Sequence, residues 1–214
     1  MIITFGGIKG GSGKTTLAVN TVTKLNRANT LLVDADEQCS ASQWCEQRYN
    51  NDVFTKWTTI KLNGKAVHTE LIKLRQNYDL IVIDTGGRDT SSQRAAMLVS
   101  DVYITPFQPR SFDIWTLSTL KKLIQDAKLY NEKLLPMAVL NRADVSGKDN
   151  EEASEIIREC SEIQLLNCVL TQRKIYANAA SHGLSIYETS KRDQKAIDEF
   201  DNFIDVMLKS YRLS

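Results

Sequence analysis

The chain has 214 residues, of which 42% are hydrophobic and 25% charged, with a formal net charge of +1. This length carries one full core without a second domain, and the near-neutral charge means that contact with nucleic acid would need a local basic patch. No apolar run reaches the roughly 18 residues of a membrane span, no signal-peptide pattern opens the chain, and Cys39, Cys45, Cys160 and Cys168 lack CxxC spacing and a nearby histidine, so one cytoplasmic domain over residues 1–214 is expected, without a metal or disulfide framework.

In chain order, a short apolar strand (Ile2–Phe5) leads into Lys9-Gly10-Gly11-Ser12-Gly13-Lys14-Thr15-Thr16, and a helical pattern follows over residues 17–25. Strand, glycine-rich loop and helix are the context of a phosphate loop. The glycines let backbone N–H groups approach a phosphate, and the helix N-terminus adds partial positive charge. In that reading Lys14 reaches the β- and γ-phosphates, and the Thr15 hydroxyl ligates Mg²⁺. The usual pattern has glycine where Ile8 stands, and a second lysine, Lys9, stands at the front of the loop. Lys9 is either a phosphate ligand or an ordinary solvated lysine.

A strand over residues 30–33 ends in Asp34-Ala35-Asp36-Glu37-Gln38. Spacing of two along an extended segment points both carboxylates the same way. One can support the Mg²⁺ shell and the other can position a water; the alternative is that they cap the next helix. The apolar run at 80–83 ends in Asp84, a candidate Mg²⁺ carboxylate, followed by Thr85-Gly86-Gly87, either a nucleotide-state switch or a plain glycine turn. Further strands are predicted at 102–105, 134–140 and 165–169. Helical patterns lie at 66–76, 90–99, 112–129 and 150–160. Continuous apolar strands alternating with helices predict an α/β fold: a doubly wound, mostly parallel sheet with helices on both faces. The loops at 9–16, 34–38, 84–89 and 106–113 would then gather at the carboxyl edge of the sheet. At the next strand end stand Asn141, whose amide can pair with an adenine edge, and Arg142, which could stack on the base or be solvated.

The loop KGGxGK[ST], the DxDxQ run at residues 34–38, the aspartate at 84 and the two prolines Pro106 and Pro109 ahead of Asp113 together resemble the ParA/MinD family of ATPases with a deviant Walker A loop. The resemblance is strongest at 8–16, 33–38 and 80–87, and in length it is closest to the small plasmid-partition type. It implies ATP and Mg²⁺ as ligands (metal: Thr15, Asp34, Asp84) and slow, partner-stimulated hydrolysis. Lys9 would cross a dimer interface to the partner's nucleotide, Lys14 and Asp36 would complete the catalytic set, and Asp36 would orient the attacking water. Asn141 would contact the base. Asp113 would lie either at the dimer interface or simply in the first turn of a helix. The implied active form is an ATP-bound homodimer, with higher assemblies conceivable, that binds DNA non-specifically on the nucleoid and answers to a centromere-binding partner protein. Glu37 stands where the family usually has proline.

Arg173, Lys174, Lys191, Arg192 and Lys195, against Glu188 and Asp193, form the candidate DNA patch; solvated surface charge is the alternative. The segments 171–174 and 183–188 resemble the family's C-terminal pattern without assigned roles. A MinD-like membrane-surface reading meets the apolar stripe Phe200, Phe203, Ile204, Met207, Leu208 and Tyr211. The acidic residues Asp198, Glu199, Asp201 and Asp205 that flank it predict a core-facing helix instead of a membrane anchor. Three alternatives remain: a metabolic ligase sharing the phosphate loop, which no substrate motif supports; an Fe–S reductase relative, for which Cys39 and Cys45 stand too near the Asp36 loop; and a scaffold that binds ATP without hydrolysing it, against which Asp36 argues.

Overall fold

Seven parallel strands form one sheet with helices on both of its faces. The computed structural model describes residues 1–109 and 114–213. The strands are β1 (Ile2–Phe5), β2 (Thr30–Ala35), β3 (Thr58–Lys61), β4 (Leu80–Thr85), β5 (Val102–Phe107), β6 (Leu135–Ala143) and β7 (Gln164–Thr171). The helices are α1 (Lys14–Leu25), α2 (Ser40–Asn50), α3 (Ala66–Leu74), α4 (Ser91–Val99), α5 (Ile114–Lys128), α6 (Lys148–Arg158), α7 (Lys174–Ala180) and α8 (Gln194–Leu213). The sheet order is β3-β2-β4-β1-β5-β6-β7. From β1 the chain winds outward to one edge, returns through β4 beside β1, and crosses to the other side at β5. That reversal creates the crevice at the carboxyl ends in which α/β proteins bind ligands.

The central strands β1, β2, β4 and β5 are buried along their whole length, which is why they read as continuous apolar runs. Alternate side chains enter different layers. Ile3, Phe5 and Leu32 pack with α1, α2 and α8, while Ile2, Leu31 and Val33 pack with α3 and α4. A separate apolar cluster joins β5 and β6 to α5 and α6. The stripe on α8 faces the cluster of Ile3, Phe5 and Leu32: Phe200, Phe203, Ile204 and Met207 are buried there. No described helix is long and apolar enough to cross a membrane.

Three elements go beyond the sequence expectations: β3, α2 and the short α7. Strand β3 is an exposed edge strand whose only apolar residue is Ile60, so it lacks the run that marks the others. Helix α2 buries Ala41, Ser42, Trp44 and Arg48, and an arginine on the inner face hides the apolar period. Arg48 is fully buried, and all five of its N–H donors find oxygens. Its Nη1 and Nη2 each reach Glu188 at 2.8 Å, with the Gly183 and Phe54 carbonyls at 2.9 Å and Thr55 Oγ1 at 3.2 Å. The guanidinium also lies 4.8 and 4.9 Å from the rings of Trp44 and Trp57. Gly183 has φ +66, and a Cβ there would meet the Arg48 backbone N at 2.4 Å. The segment 183–188 is therefore a structural clasp that fixes α2, and with it the loop ahead of α2.

Candidate nucleotide site

The sheet register brings the acidic strand ends together. Phe5 of β1 lies opposite Asp84 of β4, and Asp84 lies opposite Asp34 of β2. The loop after β1 turns over these ends. Gly11 and Gly13 take left-handed φ values of +77 and +94, open to glycine at little cost. A Cβ on Gly13 would also meet Asn141 Nδ2 at 2.4 Å. Helix α1 starts directly at Lys14, and Leu17 N donates to Gly13 O at 2.9 Å, so the first N–H groups of α1 face the cleft. The Lys14 ammonium is buried and donates to Lys9 O at 2.9 Å. Burial lowers its pKa, while the nearby Asp84 and Asp36 carboxylates act the other way. Lys9 is exposed at the front of the loop.

The three candidate carboxylates differ in their surroundings. Asp84 is fully buried, and among the described residues neither of its oxygens completes a hydrogen bond, although the Thr15 hydroxyl faces it. Burial pushes its pKa up to about 8; Asp34 and Asp36 push the same way, and the facing Thr15 hydroxyl and Lys14 only partly oppose them. Asp34 is committed to backbone: it accepts from Ser42 N at 2.7 Å, capping α2, and from Asp36 N at 3.2 Å. Asp36 is half-exposed on the cleft wall and accepts from Gln38 N at 3.1 Å. Asp84, with free oxygens next to a threonine hydroxyl, suits a small hard cation held by one or two carboxylates plus phosphate oxygens. No cluster of three or more His, Cys, Asp or Glu among the described residues forms a closed metal cage.

The loop after β4 closes the other wall. A Cβ on Gly86 would approach Asp36 Oδ1 at 3.0 Å, and one on Gly87 would lie 2.7 Å from both N and Cα of Gly10. The two loops therefore touch backbone to backbone, and no side chain fits between them. Gln93 is fully buried at the start of α4; with its amide assigned the orientation that satisfies its neighbours, its nitrogen donates to Gly7 O at 3.0 Å and Arg88 O at 3.3 Å, tying the loops together. The run Thr90-Ser91-Ser92-Gln93 has the spacing of a capping box, and Thr90 does cap Gln93 N at 3.2 Å. The sequence showed the helix start; the Gln93 side chain reaches the site instead of folding back.

Two cavities meet at Gly13, Thr16 and Arg142. One, of about 530 Å³, is lined by the phosphate loop, Asp36, Gly86, Gly87 and Arg88. The other, of about 400 Å³, is lined by Asn141, Arg142, Thr171, Lys174 and Tyr176 among others. Asn141 lies at this junction, and one N–H of its amide donates to Ser12 O at 2.7 Å, which ties it to the phosphate loop and leaves its second N–H and its carbonyl oxygen for a base. Arg142 holds a left-handed φ of +53, unusual outside glycine and frequent at functional sites. Tyr176, with its hydroxyl buried and unpartnered, lines the second cavity and carries no sequence signal that marks it.

Of the basic candidates, Arg173 binds Glu199 through Nη2 at 2.6 Å and Nε at 3.1 Å, so it is an internal strut. Lys174, Lys191, Arg192 and Lys195 are exposed. Asp113 lies outside the described residues.

The sheet order, the phosphate loop over paired strand-end aspartates and the two-part cleft define a phosphate-loop nucleotide-binding protein. The model of the CobQ/CobB/MinD/ParA nucleotide binding domain matches residues 3–186, and the chain belongs to that family. Among named relatives, the Maintenance of carboxysome distribution protein A of Halothiobacillus neapolitanus is 25% identical over 95% of this chain and 94% of its own. The protein of the same name from Gloeobacter kilaueensis is 30% identical over 84% of this chain and 81% of its own. Among solved structures, apo McdA of Cyanothece superposes with a TM-score of 0.77 at 15% identity, covering 96% of this chain and 98% of that one. A plasmid partition protein of Borrelia burgdorferi gives a TM-score of 0.69 at 21% identity, covering 98% of both chains. At such identities the structural likeness speaks for the fold alone.

Proposed function

We propose that this chain is an ATP-driven positioning ATPase whose ATP-bound dimer holds DNA non-specifically and is released when a partner protein stimulates hydrolysis. The observation that carries the reading is the buried Lys14 ammonium beside the unpartnered Asp84 carboxylate, beneath a glycine loop that presents a second lysine, Lys9, at its front. In this reading the N–H groups of residues 10–16 and the Lys14 ammonium cradle the phosphates. Thr15 and Asp84 hold Mg²⁺, which when bound offsets phosphate charge, and Asp34 acts from behind by fixing the start of α2. Asp36 orients the attacking water, Lys9 reaches the nucleotide of a second copy, and Arg142 and Tyr176 flank the base.

The cargo reading follows the curated relatives, whose names concern carboxysome distribution. We therefore infer a carboxysome-type body as cargo, ahead of the plasmid suggested by sequence resemblance. A membrane-lying α8 is disfavoured, because its apolar stripe is spent on the core. DNA contact would fall to Lys174, Lys191, Arg192 and Lys195.

The test is binding of the purified protein to random-sequence duplex DNA with ATP, with ADP and without nucleotide, at fixed salt. The reading expects binding with ATP alone, lost in Lys9→Ala and weakened when Lys191, Arg192 and Lys195 are replaced together by alanine. Absence of DNA binding in every nucleotide state would overturn the DNA-based mechanism.

A further inference from the structure

The wall of the phosphate cleft carries a cation that no reading so far uses. Arg88 follows Gly86 and Gly87 directly and lines the same cavity of about 530 Å³ as Lys14 and Thr15. Its backbone position is fixed from two directions. The preceding glycine packs against the Gly10 backbone, and the Arg88 carbonyl accepts from the buried Gln93 amide at 3.3 Å. Its guanidinium is exposed and makes no ion pair or hydrogen bond among the described residues. The adjacent carboxylate does not neutralise it, because Asp89 is held by Arg94 through two contacts of 2.8 Å.

We infer that Arg88 is a phosphate ligand in cis, a further catalytic residue that contacts the terminal phosphate of ATP from its own chain. The inference rests on the nucleotide reading above and deepens it. Three features carry it: the guanidinium has no competing partner among the described residues, it stands on the cavity wall across from the phosphate loop, and its backbone is anchored to that loop. A planar fork of N–H donors matches phosphate oxygens in a way a lysine cannot. On a glycine-hinged loop it also meets only a nucleotide that still carries its last phosphate, because the shorter diphosphate leaves that end of the cleft empty. Arg88 thereby distinguishes ATP from ADP, and as the terminal phosphate separates it stabilises the developing charge on the phosphate oxygens.

The experiment compares wild type, Arg88→Ala and Arg88→Lys for binding of Mg²⁺–AMPPNP and Mg²⁺–ADP by titration calorimetry at two protein concentrations, with thermal unfolding as a folding control. The inference expects Arg88→Ala to lose about 10- to 100-fold in affinity for AMPPNP while ADP affinity stays within about twofold, with Arg88→Lys between. The loss should not depend on protein concentration. Equal affinities in wild type and Arg88→Ala for both nucleotides overturn the inference and leave the nucleotide reading standing. A parallel loss for AMPPNP and ADP also overturns it, since the residue would then only shape the loop. A loss seen solely at the higher protein concentration overturns the cis assignment and moves the contact across a dimer interface. Wild-type protein that binds neither nucleotide overturns the proposed function itself.

Discussion

Asp84→Asn should make the nucleotide-free protein more stable, and this is the most revealing consequence of the site. Asp84 is fully buried, its oxygens have no partners, and Asp34 lies opposite it across the strand pair. Burial is the main reason its pKa stands at about 8 instead of 3.8. Because the folded pKa is raised, the folded state keeps its proton where the unfolded chain has lost it. The stability this carboxyl contributes is full below pH 3.8 and is lost as pH rises towards about 8. Between pH 3.8 and roughly pH 7 there are about three pH units, each worth 1.36 kcal/mol, so the loss reaches about 4 kcal/mol. Local opening that admits water relieves part of it. Replacing the carboxyl by an amide removes this cost, so the variant should be about 2–4 kcal/mol more stable than wild type near neutral pH, with the gap closing towards pH 4. Urea unfolding of both proteins in chelator across that range measures it. Added Mg²⁺ and ATP should then stabilise the wild type more than the variant, reversing the order. Equal stability of the two proteins near pH 8 without nucleotide would refute the reasoning, because it would mean that the Asp84 carboxylate is adequately solvated or paired.

Lys14→Ala should abolish nucleotide binding, whereas Asp36→Ala should keep binding in fluorescence titrations and lose at least about 100-fold in hydrolysis rate. Gly87→Ala should lower nucleotide affinity by at least about tenfold, because its methyl would stand 2.7 Å from the Gly10 backbone and displace the phosphate loop. Gly147→Ala, with nothing within 4 Å, is the control and should bind as wild type. Arg48→Met takes the cation from the half-buried Glu188 carboxylate, which keeps its Ser185 donors, and should cost about 3 kcal/mol in urea unfolding.

What the sequence made legible follows from the physics of each segment. Strands buried on both faces must be apolar throughout, so β1, β2, β4 and β5 announce themselves, and the polar residues that end them stand out as site candidates. The phosphate loop is legible because a backbone cradle needs glycine at fixed places. Strand β3 was hidden because an exposed edge needs no apolar run. Helix α2 was hidden because its inner face is completed by a guanidinium whose carboxylate partner, Glu188, and one of whose carbonyl partners, Gly183, lie 140 and 135 residues further along the chain. The same distance effect conceals the Gln93 contact with Gly7 and the contact of Asn141 with Ser12, which exist only once β4 pairs with β1 and β6 joins the same sheet beyond β5. Arg173 shows the converse: it reads as surface charge in the sequence and is an internal strut in the fold.

The central claim is that ATP joins two copies through Lys9, and sedimentation velocity of the Asp36→Ala protein, in which hydrolysis is blocked, tests it most directly. The account predicts a dimer with Mg²⁺ and ATP, a monomer with ADP or no nucleotide, and a monomer in every state once Lys9→Ala is added. A monomer with ATP, or an ATP-bound dimer that persists without Lys9, would contradict it.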